Sequence, residues 1–247
     1  MTETALLLKG LLKPQADKIF GLIYPLRCPV CDRPVWPKGE RICLYCLKNL
    51  KPISDPICEK CGKKLMSETG MCHDCKERPH SFTRCRSAFE YSSAREMIYR
   101  FKYSGRREYA RIFAELSERV LAEYIYAGDF DCIVPVPVSR RRFLKRGYNQ
   151  AGEFGRQLSE VTGIPFCDGA IIRSKNTSPL KLLNPSERQK NLKNAFKKGK
   201  NVVKSKRILL VDDIYTTGAT MDACTEVLLQ NGAACVYGLT LASGTGV

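Results

Sequence analysis

The apolar positions of this 247-residue chain change their period near residue 85. Over 93–126 they recur every three to four residues. Ile98, Phe101, Ile112, Phe113, Leu116, Val120 and Leu121 then share one face of a helix, with a break expected at Ser104–Gly105. The run CIVPVPV at 132–138 is continuous and β-branched, as in a buried strand, and leads into a basic loop, SRRRFLKRG. Residues 149–162 return to helical period, and 164–172 read as a strand ending at Ile171–Ile172. Residues 173–194, with Asn176, Ser178, Pro179, Asn184 and Pro185, predict a long mobile loop. RILLVDD at 207–213 is a strand that runs into two aspartates, Ala219–Gln230 a helix, and Ala233–Leu241 a last strand. Strands alternating with helices predict an α/β fold, a parallel sheet with flanking helices.

The segment before residue 85 follows a different rule. Eight of the 13 cysteines form four C-x-x-C pairs: Cys28/Cys31, Cys43/Cys46, Cys58/Cys61 and Cys72/Cys75. A two-residue spacer turns both thiolates toward one metal, and a short hairpin brings up the second pair. Four pairs therefore predict two structural zinc sites, closed because four thiolates leave no position for water. Sequential pairing, as in tandem zinc ribbons, and a cross-braced arrangement are both compatible with the spacing. Disulfides are the competing use, but the start of the chain, with Glu3 early and its apolar run broken by Lys9 and Lys13, suits an amphipathic helix better than a signal peptide. His73 is expected at the surface, and Cys85, Cys132, Cys167, Cys224 and Cys235, which lack paired spacing, in the core. The chain divides on this reading into 1–84, a helix and double ribbon, and 85–247, the α/β domain.

Charge sharpens the picture. The formal net charge is +16, and eight thiolates holding two Zn²⁺ would lower it to about +12. Residues 136–207 hold 18 Lys and Arg against four Asp and Glu, a net of +14. Such a block suits phosphorylated ligands or nucleic acid, unless it is simply a solvated lysine-rich surface. With 44% hydrophobic and 27% charged residues the chain can bury a core. No apolar run is long enough to span a bilayer, so an integral membrane protein is not expected, and the cytoplasm is the expected location. There is no G-x₄-G-K-[ST] motif for P-loop hydrolysis and no deaminase signature. No histidine follows His80, which leaves the α/β segment without a base for Ser-His or Cys-His catalysis.

The most specific site is the end of the strand 207–213. Asp212 and Asp213 precede Thr216–Thr217–Gly218–Ala219–Thr220, which opens a helix. Ligands of open α/β sheets bind at the carboxyl ends of the strands, and a Thr/Gly turn feeding a helix offers N–H groups, hydroxyls and a positive dipole end to a phosphate. Two carboxylates beside it suit sugar hydroxyls or Mg²⁺.

VDDIYTTGAT resembles the phosphoribosyl-pyrophosphate (PRPP) loop of type I phosphoribosyltransferases. With YPLRCPVC at 24–31, FKYSG at 101–105, VPVPVSRRRFLKRGYNQA at 134–151 and R-x₂-N-x₃-A-F at 188–196, most of the chain resembles the ComF competence family, a double zinc ribbon joined to a phosphoribosyltransferase-like domain. The resemblance implies that Asp212 and Asp213 meet the ribose hydroxyls and form the catalytic pair. It implies that Thr216, Thr217, Gly218, Ala219 and Thr220 cradle the 5′-phosphate, and that Ser139, Arg140 and Lys102 reach the pyrophosphate with Mg²⁺. Arg188 and Asn191 match the family pattern, whereas Leu180 stands where members usually carry Gln. The family implies a role in DNA uptake during natural transformation, with a competence helicase and other uptake proteins as partners; the acceptor of any transfer is not specified. A non-catalytic PRPP sensor or a single-stranded DNA-binding module are the alternatives. The basic block predicts a single-stranded DNA surface built from Arg141, Arg142, Lys145, Lys197, Lys198 and Lys200, with Phe143, Tyr148 and Phe196 nearest for base stacking.

Overall fold

The computed structural model describes residues 26–35, 40–66, 70–174, 195–201 and 203–246. The expected N-terminal helix and most of the expected loop at 173–194 lie outside them. The cysteine-rich segment contributes two short helices, α1 (Leu44–Asn49) and α2 (His73–Glu77). The rest runs β1 (Arg84–Glu90), α3 (Tyr91–Tyr103), α4 (Tyr109–Val120), α5 (Ala122–Ala127), β2 (Cys132–Pro135), α6 (Arg140–Arg146), α7 (Gln150–Thr162), β3 (Ile171–Arg173), β4 (Phe196–Lys198), β5 (Arg207–Tyr215), α8 (Ala219–Gln230) and β6 (Cys235–Ser243).

Four strands form a parallel sheet in the order β1-β6-β5-β2, and β3 pairs antiparallel with β4 in a separate hairpin. Along β5 the side chains alternate between two cores. Leu209 and Val211 meet α3, α4, α5 and α7 on one face, whereas Ile208 and Leu210 meet α8 and the β3–β4 hairpin on the other. The helical period over 93–126 resolves into three helices, broken at 104–108 as expected and again at Leu121. The strand expected over 164–172 is interrupted: Phe166 bridges Ile133 beside β2, then the chain turns at Asp168–Gly169 and leaves the sheet. The expected basic loop is instead the helix α6. Ser139 caps it by accepting from the Arg142 N–H, and it ends at Gly147. None of its residues is buried, so no apolar stripe announced it.

The cysteine-rich segment straddles the sheet. Cys28, Val35, Ile42, Leu47 and Leu50 share the core of the first face with Met97 and Phe101, whereas Cys58, Leu65, Cys72 and Cys75 belong to the core of the second with Phe82 and Tyr215. The connection between these halves runs along β1, the Ile53 N–H donating to Ala88 O and the Glu90 N–H to Lys51 O. That edge is thereby covered.

Candidate functional site

The two halves of the cysteine-rich segment repeat one local design. In each, the residue before the first cysteine bridges the residue three past the second, Arg27 to Pro34 and Ile57 to Lys64. The residue directly after the second cysteine has positive φ, 59° at Asp32 and 72° at Gly62. Gly62 is required on two counts, because a Cβ there would lie 2.6 Å from Cys85 O. The sulfurs gather as Cys28, Cys31, Cys43, Cys46 and as Cys58, Cys61, Cys72, Cys75, each set within 4.8 Å of one another. The pairing is therefore sequential. Cys31 and Cys43 stand 3.7 Å apart, as do Cys61 and Cys72, against about 3.8 Å for the edge of a tetrahedron with Zn–S near 2.3 Å. No cysteine of the chain is in a disulfide, and both sets fit structural Zn²⁺. His73 is exposed, and of the unpaired cysteines Cys85, Cys132 and Cys224 are buried while Cys167 and Cys235 are half-buried.

β5 continues two residues past the aspartates, so Asp212 and Asp213 lie within its paired stretch, Asp212 opposite Thr240. The Asp213 N–H donates to Asp212 Oδ1 at 2.8 Å, and Lys102 Nζ reaches Asp213 Oδ2 at 2.9 Å. Burial and the neighbouring Asp213 push the Asp212 carboxyl up to about 7, with Lys102 and Arg142 pulling the other way. This is a carboxylate pair only partly neutralised by the protein, and it suits a divalent cation. Gly218 follows at φ +79° as the N-cap of α8. None of the backbone N–H groups from Thr216 to Met221 has a hydrogen-bond acceptor among the described residues, and Thr216 and Thr217 are exposed. Six open donors beside a helix N-terminus make an anion cradle.

Lys102 owes its position to a docked pair of segments. The hydroxyl of Tyr148 donates to Phe101 O, and Arg146 lies over the Tyr103 ring at 5.1 Å and donates to Gln150 Oε1 at 2.9 Å. The stretch 101–103 is thus held against 146–150, which orients Lys102 toward Asp213.

The match to known proteins fits this geometry. A family model described as a double zinc ribbon domain matches residues 19–76, and one described as a phosphoribosyl transferase domain matches 106–244, more than half of the chain. The chain is 30% identical to competence protein F of Haemophilus influenzae over 215 residues, 85% of this chain and 93% of that one. It is 30% identical to competence protein ComFC of Bacillus subtilis over 241 residues, 90% and 96%. The DNA utilization protein YhgH of Escherichia coli K12 is likewise 30% identical, over 87% of this chain and 96% of its own. The chain belongs to the ComF family.

In this ComF chain the predicted residues divide into groups. Lys102, Asp212 and Asp213 come together, with Thr216–Thr220 next along the chain. Ser139 is buried as the cap of α6, and Arg140 is exposed on that helix. Arg141 and Lys145 are exposed on α6, and Lys197, Lys198 and Lys200 on and after β4. Arg142 is likewise exposed on α6, and its charge favours the ionised form of Asp212. Of the three stacking candidates only Phe143 is exposed, whereas Tyr148 and Phe196 are buried. Leu180, Arg188 and Asn191 lie outside the described residues.

Two contributors escaped the sequence reading. Arg173 lies over the Phe196 ring at 5.2 Å, and its charge acts on Asp212 from the hairpin side. His80, ahead of β1 in the chain, reaches the turn at 216–220: its Nδ1 is 2.7 Å from Asp222 Oδ2 and its Nε2 3.2 Å from the Tyr215 hydroxyl. The α/β unit therefore does contain a histidine in space.

Proposed function

We propose that this ComF-family protein binds Mg·PRPP at the end of β5 and acts in the cytoplasm in DNA uptake during natural transformation. The observation that carries the ligand is the Asp212–Asp213 pair, held by Lys102 and followed by six open backbone donors. Thr216–Thr220 would take the 5′-phosphate, Asp212 and Asp213 the ribose hydroxyls and Mg²⁺, and Ser139 with Arg140 and Lys102 the pyrophosphate. Magnesium bound with the ligand, held by Asp212 and Asp213, would supply positive charge to the pyrophosphate. Arg142, Arg173 and Lys102 set fixed positive charge around the same place, so charge developing on the leaving group meets preorganised donors. In a phosphoribosyl transfer the acceptor nitrogen would bond the anomeric carbon as the bond to pyrophosphate breaks, so no protein nucleophile is needed. The role in uptake is supported by relatives named for competence and DNA utilization. Calorimetry with Mg·PRPP tests the ligand: submillimolar binding that Asp212→Asn with Asp213→Asn removes supports the reading, and binding unchanged in that variant refutes it.

A second reading rests on α6, whose seven residues are all unburied and include five cations. With Lys197, Lys198 and Lys200 it would form a single-stranded DNA surface beside the PRPP site, with PRPP then acting as a sensed ligand. The competence helicase and other uptake proteins are the partners this role would require.

A further inference from the structure

We infer that His80 is a positioning residue for the phosphate cradle, a role that rests on reading 216–220 as the PRPP phosphate loop. The imidazole is almost wholly enclosed, with 4% of its side chain exposed, and stacks on Phe82 with centroids 4.7 Å apart. Its two nitrogens are committed to opposite ends of the loop. A carboxylate oxygen can only accept, so Nδ1–H donates to Asp222 Oδ2 in the first turn of α8, and Nε2 pairs with the Tyr215 hydroxyl at the end of β5. Gly218 lies flush against both rings, since a Cβ there would fall 2.5 Å from Tyr215 Oη and 2.6 Å from His80 Cε1. His80 and Tyr215 are thus a wall against the turn whose N–H groups stand without acceptors among the described residues.

The contact with Asp222 has a second consequence. An acidic residue near the start of a helix is drawn to its N-terminal N–H groups. In α8 those groups have no side-chain cap, and Asp222 is turned away from them, its Oδ2 on His80 and its Oδ1 accepting from the Ser81 N–H at 2.9 Å. His80 therefore keeps a carboxylate from competing with a phosphate for the same donors. The linker that carries it joins the second ribbon to β1, so the segment that follows the zinc site braces the loop in the α/β unit from behind.

The experiment compares three ligands by calorimetry: Mg·PRPP, ribose 5-phosphate and Mg·pyrophosphate. The variants are His80→Ala, His80→Leu and His80→Asn, each checked by thermal melting. Leucine keeps the packing against Phe82 without hydrogen bonds and serves if alanine fails to fold. Asparagine places an N–H near the position of Nδ1 and should rescue part of the loss. Alanine and leucine should weaken PRPP and ribose 5-phosphate about tenfold, as expected for loss of a buried hydrogen-bonded support. Pyrophosphate, which does not use 216–220, should stay within about twofold. An equal loss for all three ligands would reduce His80 to a general folding role and overturn the proposal. Wild-type affinities in the His80 variants would also overturn it, with the PRPP site intact if Asp212→Asn with Asp213→Asn still abolishes binding. If that carboxylate variant binds as well as wild type, the site reading itself fails.

Discussion

Asp212→Asn should make the protein more stable and unable to hold its ligand. The Asp212 carboxyl is pushed from 3.8 to about 7 by burial and by Asp213 beside it. A native pKa above the unfolded one means that the folded chain keeps a proton that the unfolded chain releases. The associated stability is fully present below about pH 4 and lost as pH rises through about 7. Three pH units correspond to a ceiling of about 4 kcal/mol. The strand end opens to solvent, and screening there brings the realistic figure to about 1–2 kcal/mol. Asparagine removes the charge while its Oδ1 still accepts from the Asp213 N–H. At pH 8 the variant should melt about 2–8 °C above wild type, for a chain of this size. At pH 4–5 the two curves should converge. With Mg·PRPP at a hundredfold excess over its dissociation constant, wild type should gain about 2.7 kcal/mol and the variant nothing. Differential scanning fluorimetry at the two pH values, with and without ligand, reads all four terms. An asparagine variant that melts lower than wild type at pH 8, or a gap that ignores pH, refutes the reasoning.

Metal analysis should return two zinc ions per chain. Because Cys28 and Cys58 sit in opposite cores of the sheet, Cys58→Ser should lower the melting temperature of the whole protein and not of the ribbon alone, as followed by circular dichroism. Gly218→Val should abolish PRPP binding and cost roughly 2–4 kcal/mol, since φ is +79° and the Cβ would overlap Tyr215 and His80; a variant with wild-type affinity would remove the cradle from the site. Single-stranded DNA should bind with log affinity falling against log salt at about −0.7 per phosphate contact. Neutralising Arg141 and Lys145 together should flatten that slope, and saturating Mg·PRPP should compete in an anisotropy titration if α6 serves both ligands.

What was legible in the sequence was what is local. Four C-x-x-C pairs name their own ligands because two residues make one turn, and only the grouping of pairs needed the fold. The Asp-Asp and Thr/Gly run sits at a strand end because Ile208–Val211 is apolar on both faces. β1 is not legible locally because Arg84 and Arg86 interrupt the apolar run, and what qualifies it as a strand is pairing with β6 some 150 residues away. α6 leaves no mark in the hydrophobic pattern because its helix depends on the Ser139 cap and Gly147 and not on an apolar stripe. His80 could not be found by any local rule. Its partner Asp222 lies 142 residues further along the chain, and only the docking of the second ribbon on the α8 side brings them together.

The straddling ribbon also explains why the motifs of this chain belong together. FKYSG carries Lys102, which needs Asp213 for a counter-ion, and its two neighbours are fixed by RGYNQ through Tyr148, Arg146 and Gln150. The same helix α3 is buttressed from outside by the first ribbon: Arg100 donates to Val30 O at 2.7 Å, and Met97 and Phe101 share its core. The second ribbon reaches the opposite side of β5 through Tyr215, over whose ring Lys63 lies at 5.9 Å while pairing with Asp74 at 2.9 Å. One cysteine knuckle thus supports the lysine side of the carboxylate pair and the other supports the side of the turn at 216–220. A cut between residues 84 and 85 would strip both supports, along with the cover on β1, so the α/β unit expressed alone should aggregate or lose ligand affinity even with every residue proposed to contact PRPP in place. A fragment 85–247 that is monomeric and binds Mg·PRPP like the full chain would show that the ribbons are ornaments on the site instead of its frame.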